Sequence, residues 1–374
     1  MPNEEFVVTP WEVRGHVDYD RLVQQFGTQR IDAALLARIQ GHTGELHPLL
    51  KRNQYFSHRD LNWVLDEYEK GRPFSLYTGR GPSSAMHLGH MVPFYFTAWL
   101  QKHFKARAWI QITDDEKFLF RDFESLEEAT RFGYGNILDV IAAGFDPKLT
   151  RVFLDTEYIH HLYPLALQVA KKVTFSTAKA VFGFDASNNI GQIFYTAIQS
   201  VPCFLESIEQ GHNVPCLIPC GIDQDPHFRV TRDLAESLGY YKPALVHNKM
   251  MPGLKGLDSK MSSSAPETAI FMTDTPEAAE AKLRNAFTGG KATVEEQRRL
   301  GADPDVCSVF AYYTYLFAPD DAYWREVETT CRGGTRMCGD CKAELARHVG
   351  KFLVEHQRRR EKAKDEVETF IVRD

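Results

Sequence analysis

Short apolar runs alternate along this chain with longer stretches whose hydrophobic residues recur every three or four positions. Residues 74–78, 108–112, 152–154, 216–218 and 244–247 are brief, nearly unbroken apolar runs, the pattern of strands buried on both faces. Residues 91–100, 125–144 and 231–238 carry helical spacing between them. This alternation predicts a parallel, doubly wound α/β sheet, in which ligands bind beyond the carboxyl ends of the strands. At the front, residues 6–13 are strand-like, and 18–26 and 31–39 have helical spacing. From about residue 273 onward every patterned stretch is helical: PEAAEAKLRNAF, VEEQRRLG and a charged run ending EHQRRREKAKDEVETF.

The pattern divides the chain into an N-terminal extension (residues 1–56), a sheet domain (57–268) and a C-terminal α-helical domain (269–374). The sheet domain is interrupted by a long helical insertion at 158–202, and its residues 252–266, rich in glycine, serine and lysine, are expected to form a mobile loop. A length of 374 residues is ample for such a layout. Hydrophobic content of 43% and charged content of 25% match a soluble globular protein, and no apolar run reaches membrane-spanning length. The acidic start MPNEEFVV lacks the parts of a signal peptide, so a cytoplasmic protein with no membrane partner is expected. A net charge of −6 excludes general attraction to nucleic acid, so an RNA partner would need a local basic patch. Seven cysteines, an odd number with no dense framework, point to reduced or metal-bound thiols.

Candidate chemistry concentrates at residues 77–90, YTGRGPSSAMHLGH. A strand runs into a turn containing Gly79, Gly81 and Pro82, and a helix follows. Glycines there let the backbone approach a ligand, and the helix start presents free N–H groups suited to phosphate. The third glycine of a dinucleotide fingerprint is missing, and no Walker loop is formed. Instead His87 and His90, flanking Leu88 and Gly89, place two imidazoles on one face of the first helical turn. A turn with two capping histidines would account for this stretch alone. A second stretch, Lys260-Met261-Ser262-Ser263-Ser264, has the make-up of a phosphate clamp, with a compact cation on a flexible stem among serine hydroxyls. Taken by itself it would be a solvated loop.

Together the two stretches resemble the HIGH and KMSKS signatures of class I aminoacyl-tRNA synthetases, in the order that class requires. The resemblance implies a Rossmann-like catalytic domain that forms an aminoacyl-adenylate from ATP. Such chemistry is positioning plus stabilisation of charge growing on the phosphates. Arg80, His87, His90, Lys260 and Ser262 would serve it, with Gly79, Gly81, Gly89, Lys117, Met261, Ser263 and Ser264 around the nucleotide and Mg²⁺ shielding its phosphates. In synthetases of this size an insertion like 158–202 forms a homodimer interface.

The segments 77–81, 111–117 and 222–229, the helix end AIQSVP, and the runs FSHRDLNWVLDEYE, LIPCGIDQDPHFRVTRD and AFTGGKATVEEQRRLG are similar to the archaeal and eukaryotic tryptophanyl-tRNA synthetases. That resemblance spans nearly the whole chain. It implies L-tryptophan, ATP and tRNA(Trp) as partners and an N-terminal extension packed near the active site. By the same resemblance Tyr77 and Gln111 bond the indole N–H, while Glu116, Gln199 and Gln224 hold the α-amino and carboxylate groups. Chemistry agrees: indole only donates, so its partner must accept, and a carboxylate suits an ammonium group. Between Ser84 and Ala85 the chain has the archaeal length, one residue shorter than the eukaryotic form. The enzyme rival is a tyrosine-specific relative of the same architecture. The rival of another kind is a synthetase-like RNA-binding or signalling protein without activity, which predicts decayed signatures.

Four further features have plain structural explanations beside functional ones. Asp114 and Asp115 read first as acids at a helix start, and Asp223 as either a turn acid or a ligand contact. His160, His161, His212 and His227 read as ordinary surface or helix histidines. Cys331, Cys338 and Cys341 are spaced C-x6-C-x2-C, with Cys307 upstream, and four thiols suit zinc or an iron–sulfur cluster as well as they suit small buried side chains. The spacing resembles one in some bacterial tryptophanyl-tRNA synthetases that carry a four-iron cluster. Arg358, Arg359, Arg360, Lys362 and Lys364, interspersed with acids, read as a solvated helix face or a contact for the tRNA anticodon stem.

Overall fold

A computed structural model describes residues 17–373, together with the backbone of two short antiparallel strands, β1 (Val7–Val8) and β2 (Val13–Arg14), which pair Val7 with Arg14. The remainder of the strand-like stretch 6–13 lies outside the described residues.

Seven strands form the central sheet: β3 (Gln29–Arg30), β4 (Tyr55–Arg59), β5 (Ser75–Arg80), β6 (Ala108–Ile112), β7 (Thr150–Leu154), β8 (Cys216–Gly221) and β9 (Ala244–Asn248). Their order is β3-β4-β9-β8-β5-β6-β7. The five strands from β9 to β7 are parallel, and β4 and β3 add to the β9 edge in antiparallel fashion. Chain direction of travel reverses between β5 and β8, as in a doubly wound sheet, and the crevice at that point opens beyond the strand carboxyl ends. Apart from β5, whose start falls one residue later, the expected strands are contained in the observed ones. The exceptions are β3 and β4, which lack a continuous apolar run because Ser57, His58 and Arg59 are polar. Ser57 and His58 are nonetheless buried, with Ser57 Oγ 3.0 Å from His247 Nδ1 on β9. The expected boundary after residue 56 therefore falls inside β4, and the front of the chain is stitched into the sheet.

Helices cover both faces. Leu88–Phe104 follows β5 directly and buries Leu88, Met91, Val92, Phe94 and Phe96 against it. Leu126–Ala142 packs beside β7 and against the last helix. The insertion folds as the helices Ile159–Lys172, Phe175–Phe182 and Ile190–Ile198. The C-terminal region is helical as expected: Pro276–Arg284, Val294–Leu300, Asp321–Arg332 and the 29-residue Cys338–Glu366. After that long helix the tail returns to the sheet, where Val152 donates to Phe370 O and Val372 donates to Val152 O, covering the open edge of β7. No helix among the described residues is long and apolar enough to cross a membrane.

Arg52 ties the front of the chain to the helical region. Its buried guanidinium reaches Asp321 (3.0 Å) and the carbonyls of Tyr313 and Thr314 (3.2 Å each). Replacing it by leucine leaves two buried carbonyls without their donor, while Asp321 keeps Lys51 (3.2 Å), and should lower unfolding stability by about 1–3 kcal/mol. Denaturant titration of Arg52→Leu beside the parent protein checks this, and an unchanged midpoint would refute it.

Candidate active site

The central parallel strands and the segments that follow them deliver polar side chains into one cleft of about 590 Å³. β5 supplies Tyr77, Gly79 and Arg80; β6 supplies Gln111 and, just beyond it, Thr113, Glu116 and Lys117; β8 is followed by Asp223 and Gln224. The end of the helix Ile190–Ile198 brings Gln199 over them, and Ser83, His87, Gly89, His90 and Lys260 to Ser263 complete the rim. The sequence-derived residues thus converge, except for Ser264, which is one step outside and hydrogen-bonds Ser262 (2.8 Å), and the C-terminal cysteines.

The two signature stretches meet through their backbones. Leu88 N–H donates to Ile270 O (3.0 Å) and Met272 N–H to Met86 O (2.9 Å), so the chain leaving residues 260–264 pairs with the chain entering the helix at His87. Ser84 Oγ lies 2.5 Å from Ser263 Oγ, a second tie across the cleft. Met261 is buried and fills the space beside Gly89, where a Cβ would lie 3.3 Å from both its sulfur and the His87 ring. A Cβ on Gly81 would fall 2.0 Å from Lys117 Cε and 2.6 Å from Glu116 Oε2, so the turn passes directly over those two side chains.

One end of the cleft is built for an anion. Arg80 is half-buried, its Nε and Nη2 are shielded from solvent without a hydrogen-bond partner, and burial pulls its pKa down to about 10. The His87 and His90 rings stack at 3.4 Å, and the His87 N–H donates to His90 Nδ1 (3.3 Å). Burial, with Arg80 nearby, pulls His87 down to about 3 and His90 well below its ordinary value. Both imidazoles are therefore neutral at pH 7. They offer N–H dipoles to a phosphate rather than charge, which leaves Arg80, Lys117 and Lys260 as the cations among the sequence-derived site residues. Lys117 bonds Glu116 (2.5 Å), and Thr113 Oγ1 donates to the same carboxylate (2.6 Å). Burial pushes Glu116 up, but Lys117 and Thr113 outweigh it and hold the carboxylate below its usual range.

The other end is a directed chain of hydrogen bonds. Tyr195 Oη donates to Gln199 Oε1; Gln199 Nε2 donates to Tyr77 Oη (3.0 Å); Tyr77 Oη donates to Gln111 Oε1 (2.5 Å); Gln111 Nε2 donates to both oxygens of Asp155 (2.9 Å each). Phe228 meets the Tyr77 ring edge-on at 6.0 Å, making a flat apolar slot with polar groups at its inner end.

Several placements differ from the sequence reading. His227 is buried in the cleft wall against Phe182 (4.9 Å), with its pKa drawn down to about 4 by burial. It is not a surface histidine, because the segment after β8 turns inward. Asp114 is a fully buried clamp that accepts from Thr130 Oγ1 (2.9 Å) and Thr156 Oγ1 (2.6 Å), and Asp115 bonds the next N–H (2.6 Å). Asp223 lines the cleft and accepts from Gln224 Nε2 (2.9 Å). His160, His161 and His212 are exposed as expected. Arg121 and Asp155 were missed. Arg121 lies one helical turn after Lys117, and Asp155 directly follows a strand, so both had a positional signal. Among the four C-terminal cysteines, Cys338 raises the thiol pKa of Cys307 and Cys331, and Cys307 and Cys331 raise that of Cys341, in each case after the larger effect of burial. Cys307 Sγ accepts from the Phe310 N–H (3.5 Å) and Cys338 reaches Gln297 (3.5 Å); among the described residues no group of three or more histidine, cysteine or acidic side chains is disposed to hold a metal ion.

Comparison with known proteins agrees with this geometry. The family model "tRNA synthetases class I (W and Y)" matches residues 69–354. The tryptophan–tRNA ligase of Saccharolobus solfataricus is 50% identical over 371 residues, covering 99% of this chain and 96% of that one. That of Thermococcus sibiricus is 51% identical over 368 residues, covering 98% and 94%. The crystal structure of a tryptophanyl-tRNA synthetase from Encephalitozoon cuniculi bound to tryptophan superposes with a TM-score of 0.88 at 38% identity, covering 96% of this chain and 98% of that one.

The neutral, buried histidines make stability pH-dependent. His87 has a depressed folded pKa, so the unfolded chain binds more protons below about 6.5, and its contribution is lost as pH falls through that value. Relative to His87→Gln, the parent protein should lose about 1.4 kcal/mol per pH unit between pH 6 and 4. Paired unfolding curves check it, and parallel pH profiles would refute it.

Proposed function

The chain belongs to the tryptophan–tRNA ligases within the class I tRNA synthetases, and we propose that it joins tryptophan to tRNA(Trp) in two steps through this cleft. The observation that carries the assignment of residues is the Arg80 guanidinium, whose Nε and Nη2 are shielded and unpartnered, in the same cleft as a slot whose inner end is lined by Tyr77 and Gln111 acceptors. An anion at the first end and a donor-only ring at the second satisfy both.

In the first step a carboxylate oxygen of tryptophan attacks the α-phosphorus of ATP, the bond to the bridging oxygen breaks, and pyrophosphate leaves. Tyr77 and Gln111 accept from the indole N–H. Glu116, Gln199 and Gln224 orient the α-ammonium and carboxylate, with Glu116 kept ionised by Lys117 and Thr113. Gly79, Gly81 and Gly89 let the backbone approach the nucleotide. Arg80, Lys117 and Lys260 meet the phosphate charge, and His87 and His90, with the hydroxyls of Ser262, Ser263 and Ser264 and the Met261 contact, fix the geometry. Mg²⁺ enters as part of the nucleotide substrate and shields its phosphates. In the second step a ribose hydroxyl at the end of the tRNA attacks the mixed anhydride and AMP leaves. A domain division at 268, a homodimer and a cytoplasmic location belong to the same reading. Support for the dimer is a set of exposed apolar side chains on the insertion 158–202: Tyr163, Leu167, Phe175 and Ile190, the last 85% exposed. The helical region 269–374 takes the anticodon arm; within its last helix Arg358, Arg359, Lys362 and Lys364 pair with neighbouring acids, and Arg360 anchors on Asp139.

Amino-acid-dependent ATP–pyrophosphate exchange with tryptophan and tyrosine side by side tests the reading. Exchange with tryptophan alone is expected, and exchange with tyrosine alone would overturn it. Lys260→Ala should lower the adenylation rate by about 10²–10³ while tryptophan affinity changes little, because its charge acts mainly in the transition state. Equal losses in both would remove Lys260 from that role.

Cys307, Cys331, Cys338 and Cys341 carry a separate proposal, a structural zinc ion or iron–sulfur cluster, supported by their C-x6-C-x2-C spacing in the sequence and not by a preformed ligand set among the described residues. Metal analysis and absorbance of anaerobically purified protein should show one stoichiometric metal centre, and colourless, metal-free, stable protein would exclude it.

A further inference from the structure

The hydrogen-bond chain behind the aromatic slot has a direction, and something must impose it. A glutamine amide presents an acceptor on one side and donors on the other, and turning it over exchanges them. If Gln111 were turned over, its NH₂ would point at Tyr77 Oη, which already accepts from Gln199. The slot would then meet an incoming N–H with donors. The group that decides is on the far side of Gln111. Asp155 is completely buried and stands at the end of β7, held by its own N–H to Ile112 O (3.0 Å). Both of its carboxyl oxygens are 2.9 Å from Gln111 Nε2.

Beyond Asp155 stands a second carboxyl group, Asp115, and the two share a hydrogen bond. Two carboxyls in contact must hold a proton between them. Burial first, and then each other's charge, push Asp115 up to about 7 and Asp155 well above the usual range. A proton held between them is engaged in the Asp115–Asp155 hydrogen bond, while both Asp155 oxygens stay within reach of Gln111 Nε2 as acceptors. Asp155 therefore shows Gln111 an accepting face only, whether or not the pair is protonated. The other charged and titratable groups nearby do not compete: Asp114 is occupied by Thr130 and Thr156, and Glu116 by Thr113 and Lys117.

We infer that Asp155, backed by Asp115, is a positioning residue that locks the Gln111 amide with its carbonyl toward the slot, and so sets the enzyme's preference for a ring bearing an N–H. Asp155 acts through Gln111 and touches no substrate. The inference rests on the tryptophan reading above and adds to it the reason why an uncharged amide, free to turn in solution, selects a donor here.

The test compares tryptophan with its benzothiophene isostere, in which sulfur replaces the N–H, in ATP–pyrophosphate exchange. Asp155→Asn can donate to Gln111 and lets the amide turn over. It should raise KM for tryptophan by about 10- to 100-fold, leave KM for the isostere within about threefold, and change kcat little. A merely structural role would move both substrates equally, and that outcome overturns the inference, as does no change in either. Asp115→Asn, at a half-buried position, donates to Asp155 and leaves it an acceptor, so it should retain the preference for tryptophan. Loss of the preference in that variant would also overturn the inference, and this arm stands even where Asp155→Asn does not fold. Absence of tryptophan-dependent exchange in the parent protein would strike the functional reading instead, so the two failures are distinguishable.

Discussion

Everything at this site depends on a backbone pairing that no side chain can replace. The strand-to-helix turn after β5 and the serine-rich stretch lie far apart in sequence, and the short bridge between residues 86–88 and 270–272 holds them over one crevice. The bridge works because residues 86 and 88 leave backbone groups unused by either β5 or the helix that follows, and 270 and 272 do the same on their side. Met86, Leu88, Ile270 and Met272 are all buried around it, so the pairing is shielded from water and cannot be exchanged cheaply for solvent contacts.

That shielding sets the electrostatics. Arg80 keeps its charge while half-buried, with Glu116 nearby as partial compensation, but two of its donors are shielded and unpaired. A shielded, incompletely paired cation is costly to maintain, and it is stabilised most by an anion arriving beside it. Neutral His87 and His90 fit the same logic. Two protonated imidazoles stacked at 3.4 Å beside Arg80 would repel, whereas neutral ones contribute oriented dipoles. The serine stretch carries one lysine, Lys260, at the exposed rim, where its stem can move. Charge is thus divided between a half-buried arginine and an exposed lysine.

The polar end of the cleft follows a different rule. There the groups are neutral donors and acceptors, and selectivity comes from the direction in which they point. Gln199, Tyr77 and Gln111 each both give and take a hydrogen bond, so none defines a direction alone. A terminal carboxyl does, because it sits where only acceptance is possible. Low dielectric makes each misdirected pair expensive, and a short chain of ambiguous groups becomes a specific one.

What the sequence determined by itself is the part governed by local rules. Apolar runs bounded by glycine and polar residues located the parallel strands, helical spacing located the C-terminal region, and two short signatures identified the chemistry, because positioning phosphates demands glycine, imidazole, lysine and hydroxyl groups at near-fixed spacing. Tertiary structure decided what depends on residues distant in the chain. It made β4 a buried strand despite its serine, histidine and arginine, since Ser57 meets His247 on β9 and Arg59 meets Asp225 after β8. It turned His227 inward, placed Asp155 behind Gln111, and gave Cys307 and Cys338 hydrogen-bond partners outside the C-terminal cysteines. Burial and hydrogen-bond direction are properties of a neighbourhood, and the neighbours of a residue are set by the fold rather than by the residues beside it in the chain.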